Sequence, residues 1–342
     1  LAKAITTAEQ ELTKVEESLA QARQAARATD LKYTSVGTVY PEVSSGRRTA
    51  LANWIVHPDQ SLTARVAVNH IWMRHFGRPL VDNVFDFGLK TPEPPLVDVL
   101  DWLAVELIAS GWNLKHIHRV IVTSAAYRRA STGETALLAF HADRDPDNWT
   151  WWRTDVRRLE AEVIRDSLLA VSEQIDLTQG GPDLDCESGE TVPRRSLYFR
   201  HAYEKQMPLL MTFDAANPTD CYRRSPSIVP QQALALSNSG LAVSTARRLE
   251  EHLQTRSPDQ SDEDFIDECF QRVLCRVPRP SERAVCHEFL DEQARLLGIQ
   301  TEPTEDRTPV EGMVEAAHDP KRRARQNLVH VLVNHNDFVS IR

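Results

Sequence analysis

The sequence predicts a mainly α protein: a multi-helix globular domain with a few short strands in its middle, an N-terminal heptad helix and a C-terminal three-helix unit. Three observations predict this class. Apolar residues recur at spacings of three and four through most of the 342 residues, as a buried helical stripe requires. Pro, Gly and Ser cluster between these segments, where helices stop. Short β-prone runs are confined to residues 176–232.

Residues 1–30 read as one long helix. Ile5, Leu12, Leu19 and Ala26 repeat every seven residues, with Ala8, Val15 and Ala22 interleaved and Glu9, Glu11, Glu16 and Glu17 on the solvated face. The Gly-, Pro- and Ser-bearing run "SVGTVYPEVSSGRR" ends it. Residues 1–46 are therefore expected to form a coiled-coil-like helix and linker, 47–256 the main helical module, and 257–342 the C-terminal helical unit.

Within the main module, "RRTALANWIV" is helical up to Pro58, and "SLTARVAVNHIWMRHF" runs to Gly77. "PLVDVLDWLAVELIAS" is strongly amphipathic, with Gly111 as its C-terminal cap. "NLKHIHRVIVTSAAYRRAS" follows with Leu114, Ile117, Ile121 and Val122 inward. Residues 155–175 form the next predicted helix, and "RSLYFR" and "PLLMTFD" read as strands. "SIVPQQALALSNSGLAVSTARRLEEHL" returns to helix with Pro230 in its first turn. Three helices close the chain, the last two separated by a charged, Pro-containing gap at 300–312 that is expected to be mobile.

Lys and Arg number 40 against 49 Asp and Glu, a net charge of −9, which argues against a nucleic-acid surface as the main function. No apolar run reaches the length of a membrane span. The start, "LAKAITTAEQ", has neither the basic nor the apolar region of a signal peptide, and with no initial Met it reads as a mature or excised piece. The five cysteines contain no C-x-x-C, so c-type haem attachment is excluded within this chain. A Cys186–Cys221 disulfide and buried free thiols are the two readings, and buried thiols are the commoner state of unpaired cysteine.

Catalytic and metal motifs are absent. His70 and His75 lie about 140° apart on a helix, and a helical metal pair needs spacings of three or four. His75 falls instead on the apolar stripe of Ala64, Val68, Ile71 and Trp72. His116 and His118 diverge on a helix. There is no G-x-S-x-G elbow, phosphate loop or G-x-G-x-x-G. No metal site and no cofactor are expected in this chain.

Arginines supply the more pointed signal. Arg158, Glu162, Arg165 and Asp166 share one stripe of the predicted 155–175 helix. Arg194, Arg195 and Arg200 bracket the first predicted strand, and Arg223 and Arg224 follow "FDAANPTDCY". Guanidinium groups bind carboxylate, phosphate and sulfate bidentately, so converging arginines can form an anion site. The alternative is an internal network in which Arg158–Glu162 and Arg165–Asp214 tie the helix to the loop-rich middle.

Eight motifs in order carry a family resemblance: residues 47–81, "DFG" at 86–88, 100–131, 157–172, "RRSLYF", "FDAANPTDCYRR", "PQQALALSN" and "LVNHNDFV". Together they resemble the domain of unknown function 1553, over residues 47–342. The resemblance implies a module placed after a cytochrome-c-like domain in exported, planctomycete-type proteins. Haem c would then sit in an upstream domain, and the heptad helix would join modules or meet a protein partner. The family's positions matched here include Arg65, Asn69, Asp86, Arg158, Glu162, Arg165, Asp166, Arg195, Tyr198, Asp214, Arg224, Gln231 and Asn238; with Arg223 these are the candidate residues of a ligand site or structural network. His70 stands where the family usually has Arg. "PEPPLVDVL" lacks the His and Glu of the family's loop.

Three functional readings follow. One is a non-catalytic interaction module of a multidomain envelope protein, bound to its upstream domains. Another is an enzyme or binding module for a sulfated or uronic-acid polysaccharide, held by the arginines. The third is an accessory role in haem-linked electron transfer.

Overall fold

The computed structural model describes residues 2–27, 36–40, 43–219, 223–299 and 314–341. They divide into two compact units, Leu1–His57 and Pro58–Arg342. The 300–312 gap and Cys221 lie outside the described residues. The first unit holds α1 (Ala2–Arg27) and α2 (Arg47–Ile55). Ile5, Leu12, Val15 and Leu19 of the α1 heptad stripe are exposed.

The second unit opens with α3 (Ser61–Phe76), α4 (Val97–Ala109) and α5 (Leu114–Thr123). Ala64, Val68, Trp72 and Phe76 recur every four residues on α3, and all are buried against Leu100, Leu103 and Leu107 of α4 and Ile117 and Ile121 of α5. Asn113 caps α5 by accepting from His116 N at 3.2 Å. Gly111 follows α4 with φ of 70°, the left-handed conformation that its place after the helix requires. The second core begins at α7 (Ala161–Val171), after α6 (Thr135–Arg144) and strand β1 (Arg157–Arg158). It continues through α8 (Pro208–Thr212), α9 (Pro230–Asn238), α10 (Gly240–Arg256), α11 (Asp262–Leu274), α12 (Pro280–Ile299) and α13 (Pro320–Val333). Strand β2 (Ser340–Ile341) pairs antiparallel with β1.

Polar caps set the helix starts here as well. Ser239 accepts from Leu241 N and Ala242 N at the start of α10, and Asp319 accepts from Arg322 N at the start of α13. Glu250, fully buried on α10, takes both Arg322 nitrogens at 2.8 and 3.0 Å and so bolts α13 to α10.

Three local expectations are corrected. "RSLYFR" is a 3₁₀ turn at Ser196–Tyr198, whose buried residues Ser196 and Phe199 lie three apart, a turn spacing and not an alternation. "PLLMTFD" contains α8: Pro208 opens it, and Leu209, Leu210 and Phe213 bury at the one- and four-residue offsets of a helix. The predicted 155–175 helix starts only at Ala161, because Arg157 and Arg158 are drawn into β1 by pairing with Ile341 and Ser340. Cys186, Cys269 and Cys286 are buried free thiols, whereas Cys275 is free and exposed.

Candidate functional site

Arg65 and Asn69 belong to the scaffold. Arg65 forks onto Asp101 at 2.6 and 2.7 Å and joins α3 to α4. Asn69, fully buried, accepts from Leu80 N (2.8 Å) and Val81 N (2.9 Å) and donates to Val81 O (3.2 Å). It thereby satisfies the chain that leaves α3 through Gly77. Asp86 is an exposed turn residue that accepts from Gly88 N at 2.7 Å. Gln231 is exposed, and Asn238 bonds back to Leu234 O at the end of α9.

Arg165 is fully buried. Its guanidinium donates to the carbonyls of Gly189, Val192 and Arg194 at 2.7–2.8 Å and lies 4.6 Å over the Phe199 ring. Asp166 beside it accepts from Ser196 N (2.8 Å) and Ser196 Oγ (2.6 Å), with Arg195 at 3.5 Å. Tyr198 accepts from Gly180 N and carries Arg194 over its ring. Together these groups hold residues 178–199 against α7.

The two ion pairs expected from the sequence do not form. Arg158 precedes α7 and so is not one turn from Glu162, which instead takes both Arg224 nitrogens at 2.5 and 3.1 Å. Asp214, in the left-handed region at φ of 60°, accepts from Ser227 N, Ser227 Oγ and Gln232 Nε2. Arg165 spends its donors on carbonyls.

Two clefts flank this network. The first, about 650 Å³, is lined by Glu160, Glu162, Asp166, Arg195, Ser196 and an apolar floor that includes Phe199, Met207 and Leu210. Its carboxylates are already paired: Glu160 with Arg74 at 2.7 Å, Glu162 with Arg224, and Asp166 with Ser196 and Arg195. Ser196 Oγ donates to Asp166 and is buried, so it is not placed as a nucleophile.

The second cleft, about 430 Å³, lies across the Glu160 and Arg224 that both clefts share. Arg74, Arg157, Arg158, Arg223 and Arg224 line it, with Glu160 and Asp214 as the acids among the described residues. Arg74 and Arg224 are matched by Glu160 and Glu162, and Asp214 is committed to Ser227 and Gln232. Arg157, Arg158 and Arg223 make no side-chain hydrogen bond or ion pair among the described residues. Burial pulls the Arg157 guanidinium below its ordinary range, the mark of a cation held partly away from water, and nearby Tyr127 and Glu160 only partly oppose this. Gly77 sits against it: a Cβ there would lie 3.1 Å from Arg157 Cδ.

Of the candidate residues, Arg158, Asp214, Arg223 and Arg224 come together at this cleft; Glu162, Asp166 and Arg195 line the other. The sequence reading missed Arg157, Arg74 and Glu160. The signal was present in the "RR" at 157–158, hidden by reading it as the first turn of a helix. Also missed was a histidine pair: His75 Nε2 and His118 Nδ1 are 2.7 Å apart across α3 and α5, with Tyr127 edge-on to His75. Among the described residues no group of three or more His, Cys, Asp or Glu could hold a metal ion.

The family model of the protein of unknown function DUF1553 (PSD1) matches residues 47–290. The chain belongs to this family. The match takes in both clefts and the buried network and ends at Leu290, so the closing "LVNHNDFV" lies beyond it. No curated protein and no solved structure matches the chain. Within this DUF1553 chain, no described helix is long and apolar enough to cross a membrane.

Proposed function

We propose that this chain is a non-catalytic binding module that holds an anionic ligand in the second cleft. One observation carries the reading. Arg157, Arg158 and Arg223 converge on an open cleft without carboxylate partners among the described residues, while the other cleft-lining arginines are neutralised within the protein. Guanidinium groups held in a concave, partly apolar wall favour carboxylate or sulfate, because each can donate two parallel bonds to a planar or tetrahedral anion. The volume falls within the range of small-ligand sites. The module would act inside a larger exported polypeptide, the context implied by the family resemblance.

A thermal-shift screen tests this. Sulfated oligosaccharides, uronic-acid oligosaccharides and acidic peptides are each added at millimolar concentration. The expected result is a rise in melting temperature with at least one class that the Arg223→Gln variant does not show. A flat response to every class contradicts the reading.

A further inference from the structure

We infer that the anion is an acidic peptide in extended conformation, added as a third strand to the open edge of β1. This rests on the anion reading of the second cleft and narrows its ligand.

Three observations point there. First, β1 has β2 on one side and no strand on the other among the described residues. Leu159 N donates to Val339 O at 2.9 Å, and Arg157 is in register with Ile341. Antiparallel residues alternate between bonding across the pair and pointing away from it. The N–H and C=O of Arg158 therefore point to the outer edge, and those of Val156 also have no partner among the described residues. Second, the continuous segment Val156–Glu160 lines the cleft, so this unpaired edge and the three unmatched guanidinium groups belong to one concavity. Third, the remaining wall is aliphatic: Ile228 is 83% exposed and Val156 52%. Among the described residues lining the cleft the one aromatic ring is Phe213, and it is buried.

Strand addition uses all three features. Backbone bonds to the edge give affinity, and side chains that alternate between the two faces give specificity. Val156 and Arg158 project from one face of β1 and Arg157 from the other. Carboxylates at every second residue would therefore meet Arg158 or Arg157 according to register, and the exposed Ile228 would take an aliphatic side chain. A sulfated saccharide would engage the arginines but leave the amide edge unused.

The test is fluorescence anisotropy on the full chain with a labelled, end-capped hexapeptide of alternating Glu and Val. Two further peptides carry N-methyl groups on the odd or the even residues, which removes one register of backbone donors without changing charge. A Gln-for-Glu peptide removes the charge, and a sulfated hexasaccharide serves as the rival ligand. The Glu/Val peptide should bind. One of the two methylated registers and the Gln peptide should each bind about tenfold more weakly. Arg223→Gln, at an exposed position, should weaken the parent peptide. Equal binding by both methylated peptides overturns strand addition. So does a saccharide that binds through Arg223 while the peptide does not, although the anion site would then survive. Binding by neither overturns the anion reading as well. The methylated peptides leave the protein unchanged, so no outcome depends on a variant that fails to fold.

Discussion

Arg165 donates to three backbone carbonyls inside the protein, whereas Arg223 stands exposed on a cleft wall with no partner among the described residues. Residue type alone could not separate these roles. What separates them is which neighbours the fold delivers. Removing Arg165 strands buried carbonyls, so Arg165→Ala should destabilise the protein by about 3 kcal/mol in denaturant unfolding. Arg223→Gln should leave the unfolding midpoint unchanged. The histidine pair has its own signature. A 2.7 Å contact between two ring nitrogens requires one to donate and the other to accept, so it tolerates at most one added proton. Burial, then His118, then Arg157 hold His75 below the ordinary histidine range. The folded state thus binds its proton less readily than the unfolded chain. The associated stability is complete above the unfolded pKa of about 6.5 and is lost as pH falls through the depressed value. Melting temperature should therefore decline from pH 7 to pH 5, and His75→Gln should flatten that slope. An unchanged slope in the variant would assign the pH dependence elsewhere.

Elements were legible where burial is one-sided. Ala64, Val68, Trp72 and Phe76 announce α3, and Ile117 and Ile121 announce α5, because a single stripe packs on a single core. Leu114 and Val122, expected inward, are exposed at the edges of that stripe. Legibility failed between 155 and 213, where long-range pairing decides conformation. Arg157 and Arg158 become a strand only because Ser340 and Ile341 arrive beside them, and nothing local says so. The candidate site shared that fate. Arg158, Arg223 and Arg224 were visible as arginines, but their separation into free and neutralised groups depended on Glu160 and Glu162 and on where β1 ends. Gly77 is the element-scale test. It closes α3 at φ of 77°, and a Cβ there would press on Arg157 Cδ at 3.1 Å. Gly77→Ala should cost about 1–2 kcal/mol from the left-handed backbone alone. It should also weaken anion binding by displacing Arg157, seen as a raised Kd at a temperature where the variant remains folded.

At the scale of the molecule, a chain of net charge −9 concentrates unmatched positive charge in one concavity. Screening distinguishes a local guanidinium site from diffuse attraction, because contact pairs partly shielded from solvent keep more of their strength in salt than exposed ones. Isothermal titration of the full chain with hexaglutamate and with a sulfated hexasaccharide, at low and at physiological salt, measures this directly. The Arg158→Gln/Arg223→Gln double variant provides the comparison. Saturable binding of at least one of these ligands should persist at physiological salt and fall at least about tenfold in the double variant. Equal binding by both proteins, or no binding by either, would contradict an anion site in this cleft.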